Sequence, residues 1–153
     1  MEITQDKRIE MRAMIVSLEK GLSSLPQLDM KLTHHFAPGI YCRELFIPAG
    51  TLLTGKIHKT EHINIISKGR IKIITESNAF EVCAPLTMRS LPGEKRAGFA
   101  IEDTIWICVH HNPENIEDLN ELEEMFTVDS FEQLEKLEKE PIYLVKESAA
   151  CLG

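Results

Sequence analysis

The chain has 153 residues, of which 43% are hydrophobic and 27% are charged. These values are typical of a globular protein, and we expect residues 1–153 to form a single domain. No apolar run approaches the roughly 18 residues that a membrane span needs. The first residues, MEITQDKRIEMR, lack the apolar segment of a secretory signal. The four cysteines lack the CxxC spacing that would favour zinc. We therefore expect a cytoplasmic protein with no membrane partner.

Charge is distributed unevenly along the chain. Residues 51–100 carry eight Lys or Arg and four Glu, a net charge of +4. Residues 101–140 carry two Lys and thirteen acidic residues, a net charge of −11. The acidic segment makes nucleic-acid binding unlikely on overall charge. The basic segment leaves room for a local anion site.

The N-terminal segment, residues 1–22, contains a predicted amphipathic helix over residues 5–20. Its apolar residues recur at helical spacing, at Met11, Met14, Ile15 and Leu18. Gly21 is expected to end the helix. Residues 23–38 read as a connector, and its two histidines, His34 and His35, are interpreted as solvated or edge residues.

From residue 39 the pattern changes to short β-branched and apolar runs. Eight strands are predicted over residues 39–47, 51–58, 62–68, 70–75, 79–83, 85–91, 96–101 and 104–110. Short strands at this regular spacing indicate a sandwich or a barrel.

Two helices are predicted after the strands, within residues 112–140. Asn112 and Pro113 resemble an N-cap followed by the first helical position, so the first helix is expected over residues 113–126. Ser130 and Gln133 resemble a capping box, which opens the second helix.

The segment from Gly50 to Gly69, GTLLTGKIHKTEHINIISKG, gathers ionisable residues at regular offsets. Five residues separate Gly50 from Lys56-x-His58, three separate His58 from His62, and six separate His62 from Gly69. Lys56 and His58 are two residues apart, so in one continuous strand they would share a face.

This spacing resembles the first motif of the cupin family, whose metal ligands are His-x-His and a glutamate. Only His58 keeps the family residue, because Lys56 and His62 replace the other two ligands. The family's second motif is matched by Pro92 and Gly93 with one residue missing, and Arg96 stands where the last ligand would be.

The resemblance covers residues 39–111 and implies a mainly β, cupin-like jelly-roll β-barrel, flanked here by the N-terminal helix and the two C-terminal helices. It also implies a homodimer, because cupins commonly pair their barrels. The whole chain is similar to small cupin-like proteins that bacteriophages encode, which would place it in the host cytoplasm.

If this alignment holds, Lys56, His58, His62 and Arg96 project toward one cavity. Such a set suits an anion, because Arg offers a planar fork and Lys a point charge. Tyr41 and Trp106 are expected to line the cavity, although aromatic residues in such positions are more often part of the core. An alternative is a structural charge network with Glu61, Glu81 and Glu94.

A metal ion is disfavoured, because Lys56 and Arg96 put positive charge at the lost ligand positions. If a metal were bound, its ligands would be His58 and His62, with Glu61 or His110 as a third. No nucleophile or phosphate-loop motif is present, so no catalytic residue is assigned and no cofactor is expected.

The first hypothesis is a non-enzymatic binder of a small anionic ligand, such as a nucleotide, a phosphate or an acidic sugar. One use would be sequestration of a host nucleotide signal by a phage protein. The second hypothesis is a metal-dependent cupin enzyme, an isomerase or dioxygenase. The third is a structural or interaction module that acts through the acidic helices.

Overall fold

The computed structural model describes residues 3–139. Its helices are α1 (Gln5–Ser23), α2 (Leu119–Phe126) and α3 (Phe131–Lys139). Its strands are β1 (Leu32–Ala37), β2 (Gly39–Ile47), β3 (Leu52–Thr54), β4 (Ile57–His58), β5 (His62–Lys68), β6 (Arg70–Ile74), β7 (Ala79–Cys83), β8 (Leu86–Ser90), β9 (Ala97–Ala100), β10 (Thr104–Asn112) and β11 (Thr127–Val128). The predicted mainly β fold, with one N-terminal helix and two C-terminal helices, is confirmed.

The strands form two principal antiparallel sheets. One has the order β1-β2-β10-β5-β8, and the other has the order β3-β9-β6-β7. A separate pair joins β4 to β11. The sheets do not close into a barrel, which corrects that part of the expectation, because the outermost strand of each sheet has one neighbour instead of two.

The main core lies between the two principal sheets. Ile47 and Ile66 of the five-stranded sheet meet Ile71, Ile73 and Ala100 of the four-stranded sheet, and all five are fully buried. Strand β6 alternates buried and more exposed residues along RIKII. The core therefore follows the period-two pattern of half-buried strands.

Gly69 ends β5 in a conformation that requires glycine. Its φ is +87°, and a Cβ at this position would lie 2.2 Å from the carbonyl oxygen of Asp103. No side chain fits against that backbone atom. This motif glycine therefore allows the chain to turn from one principal sheet into the other.

The predicted strand over residues 51–58 is broken in the structure. Strand β3 pairs with β9, whereas β4 pairs with β11. The chain changes sheet at Gly55, whose amide donates to the carbonyl oxygen of Arg96 at 2.9 Å. Lys56 lies in this break, so it does not share a continuous strand face with His58.

Two other predicted boundaries differ from the structure. The connector contains a strand, β1, which pairs with β2. Helix α2 begins after Asp118, whose side chain accepts from the amide of Glu121. Asn112 instead holds the loop before α2, since its side chain donates to the carbonyl of Ile116 at 2.9 Å and accepts from its amide at 3.0 Å.

Helix α3 begins where the capping pattern predicts. The amide of Gln133 donates to the hydroxyl oxygen of Ser130 at 3.2 Å. The side-chain oxygen of Gln133 accepts from the amide of Asp129 at 2.9 Å. These bonds satisfy backbone donors that a helix leaves free at its start.

Helix α1 is attached to the four-stranded sheet by a buried lysine. Lys95 is 2% exposed, and its Nζ donates to Glu19 at 2.9 Å and to the carbonyl of Gly55 at 3.1 Å. Arg12 adds a pairing with Glu76 and lies over the ring of Phe131. None of the described helices combines the length and apolar character that crossing a bilayer requires.

The outer face of the five-stranded sheet is apolar. Val109 lies between Cys42 and Ile63 in the register, and Ile107 lies between Glu44 and Ile65. These side chains point away from the core, and Ile63 is 39% exposed. Within residues 3–139, helix α1 packs against β3 of the other sheet and leaves this face open.

The homodimer expected from the resemblance would place a second copy of the chain against this face. Five strands spaced about 4.8 Å apart and about seven residues long offer a flat area of roughly 550 Å², about two thirds of the ~800 Å² per partner of stable interfaces. Because β10 is the central strand of the sheet, a two-fold axis along it would set Ile107 of one copy against Ile107 of the other.

We predict that the protein is a dimer in solution and that Ile107→Glu makes it a monomer, because a buried unpaired carboxylate would face its own copy across the axis. Light scattering coupled to size exclusion measures the mass. Lys72→Glu, on the exposed face of the other sheet, is the control and should stay dimeric. A monomeric wild type, or a dimeric Ile107→Glu, would contradict the prediction.

Candidate functional site

Three histidines from three strands meet at one end of the inner sheet face. His62 on β5 and His110 on β10 both point inward, and the pairing of Asn64 with Cys108 brings these two strands into register. His58 comes from the short strand β4, which is held by β11. In this pair His58 lies opposite Thr127, and the preceding residue of β4 lies opposite Val128.

The three rings are close and buried. Their centroids lie 4.1 Å apart for His58 and His62, 4.7 Å for His62 and His110, and 5.3 Å for His58 and His110. One ring nitrogen of each lies within 4.8 Å of the others. His62 is 6% exposed and His110 is 4% exposed. This three-histidine cluster is the candidate site.

Burial keeps His58 and His110 neutral. Burial, followed by the influence of His62 and His110, lowers the pKa of His58 to about 3. Burial, followed by the influence of His62 and Arg43, lowers the pKa of His110 to about 3. The pKa of His62 is also lowered by burial, although its bond to the Thr60 carbonyl opposes the shift. His58 and His110 therefore do not gain charge near pH 6.

Two ring nitrogens of the cluster lack hydrogen-bond partners. Among residues 3–139, nothing bonds to the buried Nδ1 atoms of His58 and His110. An unsatisfied buried polar atom costs roughly 1–3 kcal/mol. Neutral imidazoles are also the commonest metal ligands in proteins. The residues therefore fit a divalent transition-metal ion, to which three imidazoles leave at least one coordination position open.

Aromatic rings wall the cluster on one side. Phe126 at the end of α2 stacks on His110 with centroids 4.3 Å apart. Tyr41 stacks on the same histidine at 6.0 Å, and its hydroxyl pairs with Nδ1 of His34 at 2.8 Å. The structure therefore places Tyr41 beside His110, where it forms a buried wall of the cluster.

Arg96 lies on the other side of the cluster. Its charge contributes to the lowered pKa values of His58 and His62. Its Nη2 donates to Glu94 at 2.5 Å, whereas its buried Nε has no partner among the described residues. The guanidinium carbon lies 5.8 Å from the centre of the Trp106 ring. The structure thus brings Arg96 and Trp106 to His58 and His62.

Lys56 does not join them. Its Nζ pairs with Glu123 and with Asp129, each at 3.0 Å. It lines a groove of about 500 Å³ between β11 and α3, away from the three-histidine cluster. Of the four side chains expected to converge, the structure places His58, His62 and Arg96 near one another and Lys56 elsewhere, because the strand breaks at Gly55.

Glu61 is also directed elsewhere. It pairs with Arg89 at 3.0 Å on the surface, so it is not beside His62. The structure offers His110 as the third member of the cluster. Strand alternation could have predicted that His110 points inward, because Trp106, Cys108 and His110 occupy every second position of β10.

Sequence reasoning missed Arg43 and Asn64. Arg43 pairs with Cys108 in the register, and its charge influences the pKa of His58 and of His110. Asn64 is 1% exposed and contacts His62. Asn64 is two residues from His62 on β5, so counting alternate positions would have found it. Arg43 lies on β2, and its place opposite Cys108 depends on the pairing of β2 with β10.

Comparison with known proteins gives only distant structural neighbours. No protein-family profile and no curated protein matches the chain. Among solved structures, it is similar to the Cnp3 cupin domain of Schizosaccharomyces pombe, with 16% identity, a TM-score of 0.48, and coverage of 60% of this chain and 66% of that one. Ectoine synthase from P. lautus matches with 15% identity, a TM-score of 0.48, and coverage of 57% and 67%.

A cupin-2 domain protein from Shewanella frigidimarina matches with 10% identity, a TM-score of 0.43, and coverage of 67% of this chain and 99% of that one. At such identities and TM-scores the likeness carries no argument about fold, ligand or activity.

The buried histidines predict that the metal-free protein loses stability in acid. The unfolded chain binds protons below the ordinary histidine pKa of about 6.5, whereas folded His58 and His110 stay neutral down to about pH 3. The stability that these two neutral histidines contribute is therefore present above pH 6.5 and is lost as the pH falls below that value. We expect a loss on the order of 2 kcal/mol for each of these two histidines, or about 4 kcal/mol in all, between pH 7.5 and pH 5.

Denaturant unfolding with a chelator present measures this loss. His110→Phe, which removes one buried histidine, should flatten the pH dependence. His111→Phe, on the exposed face of the same strand, should preserve it. Equal pH dependence in both variants would refute the explanation.

Proposed function

We propose that the protein is metal-dependent and that it binds a small anionic molecule. In this proposal His58, His62 and His110 hold a divalent transition-metal ion, and Arg96 contacts the anion. The observation that carries the proposal is the cluster itself, whose ring nitrogens lie within 4.8 Å of one another. Two of its buried Nδ1 atoms lack a partner within residues 3–139, which supports a ligand between the rings.

The proposal departs from the expectation of a metal-free site. That expectation rested on positive charge at Lys56 and Arg96. Lys56 is neutralised by Glu123 and Asp129 away from the cluster. The charge of Arg96 is offset by Glu94 at 2.5 Å. The repulsion that Lys56 and Arg96 would exert on a bound cation is therefore much weaker than their positions in the sequence motif indicated.

An anionic ligand is favoured by the groups around the histidines. Arg96 keeps a buried Nε donor without a partner among the described residues, and charge-assisted bonds to carboxylates or phosphates are strong. The ring of Trp106 lies beside this guanidinium and can hold it through a cation–π contact. A nucleotide, a phosphate or an acidic sugar suits this combination.

A metal-dependent enzyme is the second candidate. A metal bound by three protein ligands keeps a position open, as in catalytic sites, and would act as a Lewis acid on a bound oxygen. Isomerases and dioxygenases are the classes that the cupin resemblance suggests. The proposed use by a phage, sequestration of a host nucleotide signal, rests on resemblance alone.

Zinc binding tests the proposal directly. After treatment with a chelator and dialysis, the wild type should bind about one Zn²⁺ per chain in calorimetry. His110→Phe should weaken zinc binding at least tenfold, because it removes one metal ligand while it keeps an aromatic ring stacked on Phe126. His111→Phe is the matched control and should bind as the wild type does. Equal affinity in both variants, or no binding by the wild type, would refute the metal site.

Arg96 and Lys56 should behave differently toward anions. In calorimetry of the zinc-loaded protein against phosphate, nucleotides and sugar acids, Arg96→Ala should weaken binding about tenfold to a hundredfold, the equivalent of roughly 1.5–3 kcal/mol. Arg96→Lys should also weaken it, because an ammonium lacks the planar fork. Lys56→Ala should change nothing. A larger effect at Lys56 than at Arg96 would overturn this assignment.

A further inference from the structure

Asn64 is a buried amide at the centre of the inner sheet face. It lies on β5, two residues from His62, and is 1% exposed. Four groups surround its side chain, and they are Trp106 Nε1 at 2.8 Å, Cys108 Sγ at 3.1 Å, His62 Nε2 at 3.4 Å and the hydroxyl of Ser90. A fully buried amide with this many partners has one orientation available to it.

The indole sets that orientation. An indole N–H only donates, so the atom of Asn64 that faces Trp106 must be the oxygen, Oδ1. The thiol of Cys108 donates to the same oxygen. The amide nitrogen Nδ2 therefore faces Ser90 and His62, and reversing the amide would set two N–H groups against each other at 2.8 Å.

The amide in turn fixes the tautomer of His62. An N–H of Asn64 points at Nε2, so that nitrogen carries the lone pair and not the proton. On the other side of the ring, Nδ1 lies 3.2 Å from the carbonyl oxygen of Thr60, which only accepts. Both neighbours require the same tautomer, with the proton on Nδ1.

We propose that Asn64, oriented by Trp106, is the positioning residue that holds His62 in its Nδ1–H tautomer and so keeps the proton off Nε2, the nitrogen that would bind the metal. The use of that lone pair for a metal rests on the function proposed above, whereas the tautomer does not. At 3.4 Å the contact from Asn64 is longer than an ordinary bond of about 2.9 Å, so an ion would displace it at small cost. The bond from Nδ1–H to the Thr60 carbonyl would remain, and partners at the nitrogen that does not bind the metal change metal affinity roughly 10–100-fold.

Nuclear magnetic resonance of histidine ring nitrogens tests the tautomer without any metal. In the chelator-treated wild type, His62 should carry its proton on Nδ1 alone. Asn64→Asp keeps an acceptor for Trp106 but turns a carboxylate oxygen toward Nε2, so a proton should appear on Nε2. Asn112→Asp alters an equally buried amide that bonds to Ile116, and His62 should keep the wild-type tautomer.

Zinc affinity gives the second readout. The N–H signal of Trp106, the chain's one tryptophan, reports on the hydrogen bonds around Asn64. Asn64→Asp should bind Zn²⁺ more weakly, because the ion must then displace a proton from Nε2, while Asn112→Asp should bind as the wild type does. If Asn64→Asp does not fold, Trp106→Phe takes its place. Without the indole donor the amide is free to reverse, and His62 should show a mixture of both tautomers.

The outcomes separate the two proposals. A wild-type His62 protonated on Nε2, or a tautomer that neither variant changes, overturns the role of Asn64 whether or not zinc binds. The predicted tautomers in a protein that binds no zinc would support the role of Asn64 and refute the metal site. Zinc affinity unchanged in Asn64→Asp, with the tautomer altered, would show that the positioning has no effect on binding and would also overturn the proposal.

Discussion

Three neutral imidazoles buried against one another are the constraint on which the site depends. Burial holds the pKa of both His58 and His110 to about 3, so the rings are poor proton acceptors near neutral pH and their lone pairs stay available. Helix α2 supplies this burial through Phe126, which stacks on His110 at 4.3 Å. The following strand, β11, then pairs with the strand that carries His58. The C-terminal helical region is thus part of the site and not an appendage to the sheets.

The break at Gly55 connects the N-terminal helix to the same region. Lys95 donates to the carbonyl of Gly55 and to Glu19 of α1, while the amide of Gly55 donates to the carbonyl of Arg96. A buried ammonium costs free energy unless it is paired, so α1 is held where its carboxylate is needed. The backbone that positions Arg96 beside the cluster is therefore fixed by contacts outside the cluster.

Local patterns predicted the strands and the glycine turns well, because alternation and positive φ values are short-range properties. The position of Lys56 could not be predicted in this way, since it depends on β3 and β4 pairing with different partners. The start of α2 was missed because Asn112 bonds to the loop residue Ile116 instead of capping a helix. His110 was only one of two options for a third ligand, because its approach to His62 depends on strand order across the sheet.

X-ray absorption at the zinc edge tests the central claim most directly, since it reports the atoms that surround the ion. The account predicts about three imidazole nitrogens at roughly 2.0–2.1 Å, completed by a light oxygen or nitrogen ligand. Loss of one imidazole from this shell in His110→Phe would assign it to the cluster. Sulfur scattering at about 2.3 Å, or a wild-type shell with fewer than two imidazoles, would contradict the account and leave the three rings as an aromatic core.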